Sequence, residues 1–514
     1  MSRLRGLVVC LAALASSAGA QPVITSPSPD SVAVTVYRDP NRSADQALDL
    51  QWLQGFALIS ETRRVSLPAG EAELRFEGVA GGIIPQSAIV TGLPDGIVER
   101  NRDAYLLSPG TLLDRSLGRR VHLRRTSRAT GEVREHEAII RSGNGGGVVL
   151  QTDAGFEALR CTGLAETLVY DEVPSSLSPR PTLSVRTRSR EAISATVTLS
   201  YLASGFDWQA NYIATLSPAG DKVDLFAWLT LANGDETGFH QASTQAVAGR
   251  LNREAVDVPE PEAPPLILNC WPQGRTSDVV VESDMSLQRR EGAPPPPPPP
   301  PAAPMSVVSE DIIVTGSRVM AQREDLGDLK LYRIPEPVTV AANSQKQVAL
   351  LHQPQVEIDL VHRRRFYAGN AESPEAAPRF LVTRNRESEG LGLPLPSGGL
   401  VLFTEARGRP ILIGEGNVGD SAVGEDVEIQ IGESSDVMSQ VELVEDGKAE
   451  DRYLLTVTNA TPNPVRFEAE FDVEELTRFD PSRRLSRRDG RPLWTVTVPA
   501  NGRETIGYTL RVTP

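Results

Sequence analysis

Cysteine, histidine and aromatic side chains are scarce in this chain. Three cysteines, five histidines and 5 % aromatics are spread over 514 residues. Two cysteines remain after Cys10, too few for a zinc set. His122, His136, His240, His352 and His362 show neither His-x-x-x-His nor Glu-x-x-His spacing. No metal or other cofactor is expected. Positive charge is also short. The formal net charge is −15, and nucleic-acid binders present a basic face instead. The runs Arg119-Arg120, Arg124-Arg125 and Arg363-Arg364-Arg365 read as solvated strand faces. After residue 20 no apolar run reaches the roughly eighteen residues a membrane helix needs, so no transmembrane segment is expected. A Gly-x-Ser-x-Gly elbow is missing too. The glycine run Gly143 to Gly147 lacks the Lys-Ser/Thr ending of a phosphate-binding loop.

The first twenty residues have the pattern of an export signal. Arg3 and Arg5 precede the short apolar run Leu7 to Ala15, and Ala18-Gly19-Ala20 forms a small-residue cleavage site. The mature chain is then expected to begin at Gln21, in the periplasm or at the outer-membrane periphery. In an oxidising compartment Cys161 and Cys270 admit either one disulfide or two buried free thiols. A bridge would close a loop of about a hundred residues, with a chain-entropy contribution of about 4–5 kcal/mol.

The fold class is read from alternation. Val32, Val34 and Val36 alternate with Ala33 and Thr35. Ala72, Leu74 and Phe76 alternate with Glu73, Arg75 and Glu77. Ile193, Ala195, Val197, Leu199 and Tyr201 do the same. One buried and one wet face is the mark of antiparallel sheet. The chain is expected to be all-β, with several antiparallel sandwich or barrel units. The expected segments are a signal peptide at 1–20, an N-terminal sandwich at 21–115 and a small SH3-like barrel at 116–165. The first part of a C-terminal β-domain follows at 180–252. Its second part spans 326–445, and an immunoglobulin-like sandwich spans 446–514. The one helix-like candidate is Asp472 to Arg478.

Between the two parts of the C-terminal domain lies 253–325. It holds eight consecutive prolines, Pro294 to Pro301. Proline fixes φ and cannot donate to a sheet ladder, so a long disordered Pro-rich linker is expected. Trp208, Tyr212, Trp228 and Trp271 invite two readings, core aromatics or the walls of a carbohydrate or peptide groove, with Trp208 and Tyr212 as the groove pair. Carboxylates cluster between Asp420 and Asp451. They read as a solvated acidic face, or alternatively as the acids of a glycosidase.

Several of these segments carry a likeness. Leu331-Tyr332-Arg333-Ile334-Pro335, Leu393-Pro394-Leu395-Pro396-Ser397-Gly398, Gly414-Glu415, and Gly432 with Asp436-Val437 resemble the C-terminal domain of the mucoidy-inhibitor-like bacterial proteins, domain of unknown function 4139. Trp208 to Ala248 is similar to the first part of that domain, and Ser31 to Thr91 to its usual N-terminal companion. The resemblance implies an envelope β-protein of unassigned activity and supplies no catalytic residues. Those proteins commonly carry a coiled coil between the two domains, whereas this chain has no heptad run and a barrel-like unit in that place.

Asp311, Ile312, Ile313, Val314, Thr315 and Gly316 resemble the short strand that TonB-dependent receptors offer to their energy-coupling partner by strand addition. The expected function is a non-catalytic binding or assembly module of the Gram-negative envelope, with another envelope protein as partner. An envelope hydrolase acting on glycan or peptide is the alternative, and an accessory to TonB-dependent transport a third. The oligomeric state is not legible.

Overall fold

A computed structural model of the chain describes residues 22–103, 106–127, 130–142, 148–159, 165–174, 177–249, 251, 267–269, 275–277, 320–326, 329–474 and 477–512. The fold is all-β. Residues 1–20, read as an export signal, together with Cys161, Cys270, Trp271, the proline run and the Asp311 to Gly316 motif, lie outside the described residues. Within the expected linker, Ile267–Asn269 pairs with Arg275–Ser277, and across its C-terminal boundary Gln322–Leu326 pairs with Leu329–Arg333. Both pairs are strands.

The chain divides into two compact units. The first comprises Met1–Val32, Ser60–Leu202 and Asp257–Met305. One of its sheets runs Val23–Ser26, Gly70–Glu77, Thr182–Ser189, Ile97–Asp103 in that spatial order. Thr182–Ser189, placed by its sequence at the head of the C-terminal domain, is held in this sheet along its whole length, from Thr182 opposite Glu77 to Ser189 opposite Gly70. Leu74, Phe76, Leu183 and Val185 are buried there.

The barrel segment forms a five-stranded antiparallel sheet. Its order is Gly155–Ala158, Val149–Thr152, Val133–Ile140, Arg120–Thr126, Ala165–Val169. Val121, Leu123, Ile140, Val148 and Leu150 fill its core. Leu113 joins them from a helix, Pro109–Arg115. Sequence reading missed this helix, although its start is written in the chain. Ser108 accepts from Thr111 N, Thr111 Oγ1 accepts from Ser108 N, and Pro109 occupies the first turn. The short helix-like candidate Asp472 to Arg478 instead takes in the end of strand Val465–Asp472 and the start of strand Thr477–Pro481. Phe471 and Phe479 meet at 5.1 Å, a contact that a local reading of the seven residues does not contain.

The second unit comprises Ala33–Ile59, Ala203–Val256 and Ser306–Pro514. A nine-stranded sheet dominates it, ordered Thr477–Pro481, Gly502–Val512, Asp451–Asn459, Asp426–Glu445, Glu372–Arg384, Asp359–Tyr367, Val465–Asp472, Arg491–Val498, Ser486–Arg488. Its core includes Phe366, Val437, Leu455, Phe467, Trp494 and Ile506. Residues on both sides of position 446 therefore share one sheet and one core.

The unit also holds a five-stranded sheet, ordered Ser344–Glu357, Lys222–Asn233, Phe206–Leu216, Gly398–Ala406, Arg409–Val418. Its inner face, with Tyr212, Ala214, Val223 and Leu225, packs on Leu381, Val427 and Ile429 of the nine-stranded sheet. A residual apolar cavity of only about 20 Å³ lies between them. Packing of this density is typical of a protein interior.

Candidate ligand-binding groove

The outer face of the five-stranded sheet carries the groove. Period-two alternation sends Trp208, Ala210 and Tyr212 inward, so Gln209, Asn211 and Ile213 point the other way. Register aligns Ala349, Trp228, Asn211, Gly399 and Asn417 across all five strands. The next row aligns His352, Phe226, Ile213, Val401 and Glu415. Gly399 contributes no side chain, so the floor dips in the middle of the first row. A Cβ built there would meet only the side-chain amide of Asn417, at 3.9 Å. The depression has a volume of about 600 Å³.

The segment between Tyr37 and Phe56 supplies one wall. The two aromatic rings stack at 4.6 Å and close the ends of the segment. Arg42 clamps its middle. Nε donates to Asp207 Oδ2 at 3.0 Å, Nη1 to Gln209 Oε1 at 2.8 Å and Nη2 to Trp208 O at 2.6 Å. Asp207 is buried, and burial pushes its carboxyl up. Arg42 and the amides of Asp39 and Trp208 oppose that shift. The clamp carries Asp45 to the groove. Asn417, with its NH₂ turned toward the wall, donates to Ala44 O at 3.1 Å.

The polar groups of the groove are partly spent. Thr230 Oγ1 donates to Asn211 Oδ1 and accepts from Gln347 Nε2 at 3.2 Å. Among the described residues, Asn211 Nδ2, Gln347 Oε1, Trp228 Nε1 and the Glu415 carboxylate make no hydrogen bond. Trp228 is half-buried, and Phe226 holds its indole edge-to-face at 4.8 Å. No lysine or arginine is among the described residues that line the groove. The hydroxyl of Ser43 holds the Asp45 carboxyl below its ordinary value.

Of the two readings open for Trp208 and Tyr212, the structure places both in the core and not in the groove. Trp208 and Tyr212 are 0 % and 1 % exposed. Trp208 Nε1 donates to Val247 O at 2.9 Å, and Tyr212 Oη to Pro396 O at 2.6 Å. Both are core residues with satisfied polar tips. Face decides the matter: one step along the strand separates inward Tyr212 from outward Asn211, whose cross-strand partner is Trp228. Asn211, Gln347, Glu415 and Asn417 were not singled out from sequence. Their faint signal is a polar residue in the outward phase of a strand beside glycine, as in Gly414-Glu415-Gly416-Asn417.

Five of the eleven carboxylates from Asp420 to Asp451 pair with arginine, Glu445 with Arg452 among them. Arg38 pairs with Asp420, and Arg384 with Asp426 at 2.6 Å. Glu428 is shared by Arg363 and Arg488, and Glu450 by Arg452 and Arg511. Among the histidines, His122 lies between Asp171 and Glu135, at 3.0 and 3.5 Å, and His352 meets Asp224 at 2.8 Å. His362 is in the interior. Among the described residues no group of three or more His, Cys, Asp or Glu could hold a metal ion.

No protein-family model matches this chain, and a search of curated proteins finds no match to it.

Proposed function

We propose that the chain is a non-catalytic binding module of the bacterial envelope and that the outer face of the five-stranded sheet is its ligand surface. One observation carries this reading. A set of unpaired donors and acceptors stands on a sheet whose central floor residues, Asn211 and Gly399, lie within paired ladders. Such groups lose little order on binding, which favours recognition. Catalysis by paired carboxylates needs one acid kept protonated. Asp45 is held in the opposite sense by Ser43, and Asp420, Asp426, Glu428, Glu445 and Glu450 are tied to arginine. The export setting rests on the Arg3 to Ala20 pattern, and the envelope role on that pattern together with the resemblance to the mucoidy-inhibitor-like proteins. The Asp311 to Gly316 motif, as a segment for a second envelope protein to recognise, belongs to the same reading.

The test is crosslinking in the cells that make the protein, from photoreactive residues placed at Gln347 and Glu415, with His136 on the barrel as the control position. Adducts from the two groove positions and not from His136 are the expected result. Equal labelling at all three positions, or turnover of a glycan or peptide that is lost in Glu415→Gln, would defeat the proposal.

A further inference from the structure

The chemistry of the groove narrows its ligand. We propose that it binds a neutral, hydroxyl-rich saccharide chain laid across the strands, with Trp228 as its apolar platform; this rests on the groove being a ligand surface.

Three observations separate this class from others. The first is the mixture of hydrogen-bonding roles. Asn211 Nδ2 and Trp228 Nε1 can only donate, while Gln347 Oε1 and the Asp45 and Glu415 carboxylates can only accept. A hydroxyl does both, so a polyol satisfies the whole set with one repeated group. The second is that the surface is a face and not an edge. An extended peptide that adds to a sheet binds through main-chain groups of an edge strand. Here the floor residues Asn211, Gly399 and Trp228 already lie within paired ladders, and only side chains are on offer. The third is charge. Two carboxylates without a lining cation oppose phosphate, sulfate or uronate.

Trp228 supplies what a saccharide ring needs besides hydrogen bonds. Its indole presents apolar area at low rotamer cost, because Phe226 already fixes it. Gly399 in the same row leaves the floor beyond Asn211 without a side chain. From the Trp228 strand to the Asn417 strand there are three strand spacings, roughly 14 Å. The span calls for an oligosaccharide and not a single sugar.

The experiment uses the whole purified chain and follows tryptophan fluorescence and heat on titration with neutral oligosaccharides of glucose and of N-acetylglucosamine, at low and high salt. Saturable binding that salt leaves unchanged is expected, with monosaccharides much weaker. Trp228→Ala should weaken it at least about tenfold. Gly399→Leu, which fills the dip without removing any contact, should abolish it. Phe156→Ala, at a side chain 71 % exposed on strand Gly155–Ala158 of the first unit, should leave it intact. Circular dichroism on each variant separates loss of binding from loss of fold. Three results overturn the saccharide assignment: no binding by either series, binding that salt removes, or binding untouched by Gly399→Leu. If adducts at Gln347 and Glu415 still form in cells, the groove stands as a binding surface and only its ligand class falls; if they do not, both fall together.

Discussion

Arg63 grips a single carboxylate oxygen of Glu61 with two guanidinium nitrogens, Nε at 2.9 Å and Nη2 at 2.6 Å, in a place where neither side chain reaches solvent. The remaining bonds are also filled. Arg63 donates to Ser26 O at 2.7 Å and Glu77 O at 2.8 Å, and Tyr201 Oη donates to Glu61 Oε1 at 2.7 Å. Burial pushes the Glu61 carboxyl up, and Arg63 with Tyr201 opposes it. A buried ion pair of this kind gives little net stability, but losing one partner strands the other. Arg63→Leu should destabilise the protein by about 3–5 kcal/mol in denaturant unfolding. Glu61→Leu combined with Arg63→Met should recover part of that loss, because the carbonyls of Ser26 and Glu77 stay unpaired. A double variant no more stable than Arg63→Leu would contradict the account.

Asn385 does comparable work in the second unit with no charge. Its Oδ1 accepts from Gly392 N and Leu393 N at 3.0 and 3.2 Å, and its Nδ2 donates to Leu393 O and Ala422 O at 2.7 and 3.0 Å. One fully buried amide thus satisfies main-chain groups of two loops. Asn385→Ala should cost about 2–4 kcal/mol, since several buried polar groups lose their partner at once. Asn385→Asp should cost at least as much, because a carboxylate cannot donate to Leu393 O. Hydrogen exchange at the amides of Gly392 and Leu393 would report the loss directly.

Arg363 ties three strands together. Nε donates to Glu468 Oε2 at 2.8 Å, Nη1 to Glu428 Oε2 at 2.7 Å, and the guanidinium lies 5.1 Å from the Phe380 ring centroid. Arg466 and Arg488 also reach Glu468, at 2.9 and 3.5 Å. Removal of Arg363 therefore leaves Glu468 with other partners. Arg363→Ala should cost about 2 kcal/mol, less than an isolated buried pair would. A cycle with Glu468→Ala should show coupling of about 1–3 kcal/mol by denaturant titration. Coupling near zero would mean that the arginines substitute for one another freely.

Acid should destabilise the second unit in two windows. His362 is buried, its Nδ1 has no hydrogen-bond partner, and burial with Arg379 nearby lowers its pKa from 6.5 to about 4. The unfolded chain takes up this proton first, so its contribution is intact above pH 6.5 and is lost as pH falls toward 4, by up to about 3 kcal/mol. Glu428 acts lower on the scale. Burial pushes its carboxyl up, but hydrogen bonds from Arg363 and Arg488 outweigh that and hold it below its ordinary 4.5. Its contribution is present above that value and disappears as pH drops through the folded one. Urea unfolding of His362→Leu should be flat between pH 6.5 and 4 relative to the parent, with the lower window unchanged. A parent-like slope in the variant would remove His362 as the cause.

Much of the strand content is legible because burial on one face forces period two, and Val32, Val34, Val36 or Leu74 and Phe76 display it without ambiguity. The buried pair is half legible. Ile59, Glu61, Arg63, Val65 and Leu67 keep one phase, so two opposite charges stand in an apolar register. The groove is scarcely legible. Its row joins Trp228 and Asn211 to Gly399 and Asn417, and the parallel pairing of Phe206–Leu216 with Gly398–Ala406 brings together residues almost two hundred positions apart. Local propensity carries no record of such a pairing.

The residues in order determined that this chain is built of sheets, where most strands lie and that its described part has hardly any helix, since alternation is a local consequence of having one wet side. Tertiary packing alone decided which side faces inward, which charges are buried with partners, and that Trp208 is core while Trp228 meets solvent. Those outcomes depend on the second layer that covers a sheet, and that layer comes from distant chain.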